Sequence, residues 1–169
     1  MRKVIQNIKS VSKAYELLVE RKFYECIDLC NTQIESTPND FYSFYYRGQC
    51  KICLKLYDEA IEDLETALIN ADKNAFQRLM SEEKQKAEVL IANIYRRQRK
   101  TEKALERLEK LIKEHPKFSG GYAEKAGILS DLRQYQLALD SINMAIQHSP
   151  KDKNLANFRA ELISFLTSR

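Results

Sequence analysis

The chain has 169 residues, enough for one domain with a real core and, by size alone, no second independent one. Apolar residues make up 44% and charged residues 31%, with four Gly, three Pro and no Gly/Ser run, so neither a disordered tail nor a flexible linker stands out. The net charge is a modest +4.

The N-terminal stretch MRKVIQNIKSVSKAYELL starts basic, but polar residues every third or fourth place break any signal-peptide apolar region. No segment reaches the apolar length that spans a bilayer. The expectation is a soluble, cytoplasmic protein with no membrane contact and with its four cysteines reduced.

Further along, LYDEAIEDLETALINADKN (56–74) and QYQLALDSINMAIQHSPKD (134–152) share one pattern: Tyr57 and Tyr135, Ala60 and Ala138, Leu64 and Ile142, Ala67 and Ala145. The three prolines, Pro38, Pro116 and Pro150, are 78 and 34 residues apart; the longer gap is two 34-residue periods and ten residues more, and Asp72 stands where a further proline is due. The units are therefore 7–40, 41–74, 85–118 and 119–152, with residues 75–84 inserted. In each, apolar residues recur at three- and four-residue spacing on two segments joined by a short polar turn such as CLKLY, RQRKT or DLRQY. That predicts helical hairpins.

In the insert, Ser81 followed by Glu82 and Glu83 predicts a helix start, so the third hairpin begins with an extended first helix. After Pro150, Leu155, Phe158, Leu162 and Phe165 form one stripe with charges opposite, as a helix closing the end of a repeat stack requires.

The period and the hairpin resemble the tetratricopeptide repeat. In the fourth unit the signature reads Tyr122, Ala126, Leu129, Tyr135, Ala138, Ala145, Pro150; in the second, Phe44, Gly48, Tyr57, Ala60, Leu64, Ala67. Small residues let paired helices approach, large ones fill the space between hairpins, and proline stops the second helix. The first unit departs at Ser10, Lys13, Cys26, Cys30 and Gln33, the third at Glu88, Thr101 and Leu111. The resemblance implies a single all-α domain: a right-handed α-solenoid of four hairpins plus a C-terminal capping helix from residue 153 to 169.

It also implies a concave wall lined by the first helix of each unit. The residues expected there include Tyr15, Tyr42, Tyr45 and Gln49, then Lys86, Asn93, Arg96 and Arg97, with small residues such as Gly127 in the last unit. Tyrosines give large contact area at low rotamer cost and arginines fork onto carboxylates, so this wall suits a peptide or helix with apolar anchors and acidic groups. The alternative is that the tyrosines pack against neighbouring helices and the arginines are solvated. In one subgroup of the family a clamp for chaperone C-terminal carboxylates uses Lys, Asn and Arg; the matching places here hold Val11, Tyr15, Tyr46, Lys86 and Leu90, so that clamp is not expected.

Formal charge by segment is 0 over 1–40, −2 over 41–74, +5 over 75–118 and +1 over 119–169. The basic run RRQRK (96–100), with Lys103, keeps a nucleic-acid-binding repeat open as a second reading, although cations closing a helix have an ordinary cause in its dipole. A secretion-type chaperone for apolar segments is a third. Self-association through Phe41, Tyr42 or the N-terminal helix also stays open.

Cys26, Cys30, Cys50 and Cys53 make C-x3-C and C-x2-C on adjacent helices, the one metal-like pattern; since three of them fall on packing faces, small core residues are the preferred reading, with no metal. His115 and His148 close second helices. No nucleophile triad, zinc-protease motif or phosphate loop can be assembled, and the acids of DEAIEDLE follow helical spacing as a solvated face, so neither an enzyme nor a cofactor is expected.

Overall fold

A computed structural model describes the backbone of residues 2–73 and 81–168 and the side chains of 9–71 and 82–168. Of the insert expected at 75–84, only residues 81–84 fall within that description. Every regular element described is an α-helix: α1 Arg2–Val19, α2 Phe23–Ser36, α3 Phe41–Cys53, α4 Tyr57–Lys73, α5 Ser81–Arg97, α6 Thr101–Glu114, α7 Ser119–Asp131, α8 Tyr135–His148 and α9 Lys153–Thr167. The fold class is all-α, of the helical-repeat solenoid type. Its contacts cluster into two compact units, Met1–Ala87 and Glu88–Arg169, the boundary falling inside α5.

The hairpins end where the sequence stops supporting a helix. Thr37, His115 and Ser149 cap α2, α6 and α8, their N–H groups donating to the carbonyls of Gln33, Leu111 and Ala145. A proline follows each cap and cannot continue the ladder. Asp40 starts α3 by accepting from the Ser43 N–H at 2.9 Å, and Asp152 starts α9 by accepting from the Asn154 N–H.

The turns inside the hairpins are closed differently. In each, the second residue after the first helix is left-handed, and none is glycine: Arg21 (φ 61°), Lys55 (63°), Arg99 (59°) and Arg133 (59°). The amides of Arg21 and Lys22 donate to the carbonyls of Leu18 and Leu17, and those of Arg133 and Gln134 to Ser130 and Leu129; the other two turns repeat this reciprocal pattern. A side chain in this conformation costs about 1 kcal/mol relative to glycine, offset in part by a cation's attraction to the helix C-terminus.

In the first unit, Ala60, Leu64 and Ala67 of α4 are fully buried, and Gly48 of α3 lies so close that a Cβ there would stand 3.0 Å from the Leu64 Cγ. A separate cluster joins Ala14, Leu17, Cys26, Cys30 and Cys50. The second unit packs Ala92, Ala104, Leu108, Leu111 and Ile128 in one cluster, and Ala126, Leu129, Ala138, Ile142 and Ala145 with Leu155 and Leu162 of α9 in another. Phe165 of α9 stacks on Tyr135 at 5.1 Å between ring centres.

Candidate binding faces on the first helices

In the first unit, α1 and α3 supply an aromatic face. Five rings form a chain of contacts: Tyr15 to Tyr46 at 6.4 Å, Tyr46 to Tyr42 at 6.1 Å and to Tyr45 at 5.5 Å, and Phe41 against both Tyr42 and Tyr45 at 5.3 Å. Their depths differ. Tyr15 is 57% exposed and Tyr42 and Tyr46 are half-buried, but Tyr45 is only 8% exposed and stacks on the fully buried Phe41. Tyr45, expected on the wall, thus serves the core. Gln49 is half-exposed on the same helix, and Lys86 is exposed and paired with Glu82 at 2.8 Å.

Burial pushes the Tyr42 and Tyr45 hydroxyls up to about 12, with the charge of Glu83 adding to both, and raises Tyr46 for the same first reason. Beside Tyr42 and Tyr46 a shallow open crevice of about 10 Å³ runs between α1, α2 and α3, with Val11, Ala14 and Leu29 among its sides and Ser10 and Gln33 also lining it. It is far below the size of a small-molecule site and has room for about one water.

Behind this face a charged clasp ties three helices. Arg47 of α3 donates to both carboxylate oxygens of Asp63 on α4, at 3.0 and 2.6 Å, and to Asn31 Oδ1 on α2 at 2.6 Å; Lys51 adds a 2.9 Å contact to Asp63, which is 4% exposed. The Arg47 guanidinium also sits 5.2 Å from the Phe44 ring centre. Sequence reasoning missed this clasp, because its partners are 16 residues apart and off any helical spacing.

In the second unit the expected wall residues are joined to one another. Arg96 Nε donates to Asp131 Oδ2 at 2.6 Å and its Nη1 to Glu124 Oε1 at 3.3 Å; Asn93 Nδ2 donates to the same Glu124 oxygen at 2.9 Å, and Arg97 Nε to Asn93 Oδ1 at 2.8 Å. Gly127 leaves the space for this: a Cβ there would stand 2.6 Å from Arg96 Nη1. The hydrogen bond to Asp131 raises Arg96, and the same bond holds the Asp131 carboxyl below its ordinary value. Arg96 and Asn93 are therefore engaged internally, and Arg97 alone of the three is exposed. Glu124 and Asp131 were legible only through the period: Asp131 lies 35 residues beyond Arg96, one repeat and one residue on.

Cys26, Cys30 and Cys50 are buried together, and Cys53 is exposed. The Cys26 thiol donates to the Ala14 carbonyl at 3.4 Å. Donation toward Cys26, together with burial, holds the Cys30 and Cys50 thiols well above the usual range. Among the described residues no group of His, Cys, Asp or Glu is arranged to hold a metal ion, and no helix is long and apolar enough to cross a membrane.

Helical hairpins on a 34-residue period define a class of repeat protein, and comparison with known proteins specifies it. Residues 86–117 match the family model described as tetratricopeptide repeat. No curated protein sequence matches the chain. Among solved structures, a tetratricopeptide repeat protein from Parabacteroides merdae is similar over 94% of this chain and 58% of its own, with TM-score 0.71 and 16% identity. MamA from Desulfovibrio magneticus, residues 41 to the end, is similar over 98% of this chain and 91% of its own, with TM-score 0.64 and 15% identity. Residues 86–117 thus match a tetratricopeptide repeat, and the chain as a whole shares the fold of solved tetratricopeptide-repeat proteins.

Proposed function

We propose that this chain is a protein-interaction scaffold that holds a helical or extended segment of a partner protein on the first helices of its N-terminal unit. The observation that carries this reading is the aromatic face itself, half-buried Tyr42 and Tyr46 with the exposed ring of Tyr15 beside Tyr46. Apolar side chains of the partner lie against the tyrosine rings, and hydroxyls held neutral to high pH donate to its backbone carbonyls. The repeat architecture supports binding over catalysis, since repeat stacks expose long faces rather than enclosed pockets.

The test is affinity capture from lysate at moderate and high salt with the wild-type chain and a Tyr15→Ala, Tyr42→Ala double variant, followed by titration of the purified partner. A protein lost in the variant at unchanged helicity supports the reading. A set of captured proteins indifferent to the substitutions sinks it, and capture of nucleic acid alone, released by salt, moves the assignment to the basic third hairpin.

A further inference from the structure

The turns of the second unit carry more exposed cation than turn-making needs. Arg96 Nε and Asp131 Oδ2, 2.6 Å apart, pin the end of α5 beside the end of α7, so the α5–α6 and α7–α8 turns lie side by side. On them Arg97, Arg99, Lys100, Lys103 and Arg133 are all exposed. Among the described residues none of the five is in an ion pair. Of the nearby acids, Asp131 is taken by Arg96, which leaves Glu102 and Glu106 on α6. Two aliphatic side chains stand among these cations, Leu132 at 44% and Leu137 at 53% exposure.

Arg99 and Arg133 also hold the left-handed place that glycine fills at least cost, with φ of 59° each. Both turns thus carry a cation where glycine would serve the backbone at least cost. We propose that these paired turns are a docking edge for an acidic amphipathic segment of a partner protein, its carboxylates on Arg99, Lys100, Lys103 and Arg133 and its apolar side chains on Leu132 and Leu137. This edge is distinct from the aromatic face of α1 and α3.

Charge complementarity selects an acidic occupant, and the leucines select an amphipathic one. Single-stranded nucleic acid wants exposed rings to stack on, whereas Tyr95 and Tyr135 beside the edge are half-buried and Tyr135 is already stacked on Phe165. Two half-exposed leucines offer little apolar area to a bilayer interface.

Arg99 and Arg133 allow function to be separated from folding. A fluorescein-labelled peptide of repeated Glu-Glu-Leu triplets is titrated by anisotropy into wild type, an Arg99→Gly, Arg133→Gly variant and an Arg99→Lys, Arg133→Lys variant; a uridine oligonucleotide and phosphatidylserine vesicles are titrated alongside. The expected result is salt-sensitive peptide binding that weakens at least about tenfold in the glycine variant and is retained in the lysine variant, with a glycine-variant Tm no lower than wild type. Equal peptide affinity in the glycine variant, no peptide binding by wild type, tighter binding of the oligonucleotide or vesicles, or a fall in Tm with the glycines overturns the assignment. Loss at this edge leaves capture by the Tyr15 and Tyr42 face unchanged, so the two readings fail separately.

Discussion

The two units build the same hairpins and join their first helices with different materials. In residues 1–87 the face of α1 and α3 is a chain of aromatic rings, and the ionic clasp lies behind it, with Asp63 4% exposed between Arg47 and Lys51. In residues 88–169 the corresponding helices, α5 and α7, are tied on the face itself by Arg96, with Asp131 58% exposed at its side chain. A repeat fold thus tolerates exchanging rings for ions on its inner helices, provided the small residues beneath are kept: Gly48 under Leu64 in one unit, Gly127 under Arg96 in the other. The exchange also moves the electrostatic interaction from a desolvated place to a wet one, and its worth changes accordingly.

The largest effect expected is for Tyr45→Ala, which empties a buried ring site stacked on Phe41 and destabilises the first unit by about 3–4 kcal/mol in denaturant titration. Tyr15→Ala, at an exposed ring, shifts the same titration by less than about 1 kcal/mol, and equal losses at the two sites would erase the distinction between core and face. Next, Asp63→Ala strands Arg47 and Lys51 in a mostly buried place and costs about 2–3 kcal/mol, read as faster amide exchange in α2, α3 and α4.

Alkali acts on the first unit through its tyrosines. With Tyr42 and Tyr45 raised to about 12 in the fold, the neutral hydroxyls contribute stability that is fully present below the ordinary tyrosine value of 10.0 and is lost as pH rises toward 12. Tyrosinate absorbance and helicity followed together against pH check this; two tyrosines ionising late, in step with unfolding, are expected. The smallest effect is Asp131→Ala in the second unit, under about 1 kcal/mol because the pair is solvated, and further reduced by salt. Its carboxyl is depressed in the fold, so its contribution is present above the ordinary value of 3.8 and disappears as pH falls through the lower folded value.

The hairpins were legible because burial imposes three- and four-residue spacing on the chain, and because each proline marks where a second helix must stop. The wall was less legible. Tyr45 belongs equally to the stripe of Tyr42 and Gln49 and to that of Phe41 and Gly48, and spacing alone does not decide between them; packing on Phe41 does. Arg96 looked like a dipole-favoured cation because its acids lie on another helix, visible only once the repeats are superposed. The turn conformation was hidden for a simpler reason: sequence announces a left-handed residue by glycine, and here the four positions hold arginine or lysine.

The thiols of the first unit give the molecule an internal clock. Cys53 is open to solvent, while Cys26, Cys30 and Cys50 are at most 2% exposed in the seam of α1, α2 and α3. A thiol reagent added to the native protein therefore labels one sulfur at once, and the remaining three only as fast as that seam opens. Their lag times the local unfolding of the N-terminal hairpin, and Cys53 is the single thiol handle for conjugation on the folded chain.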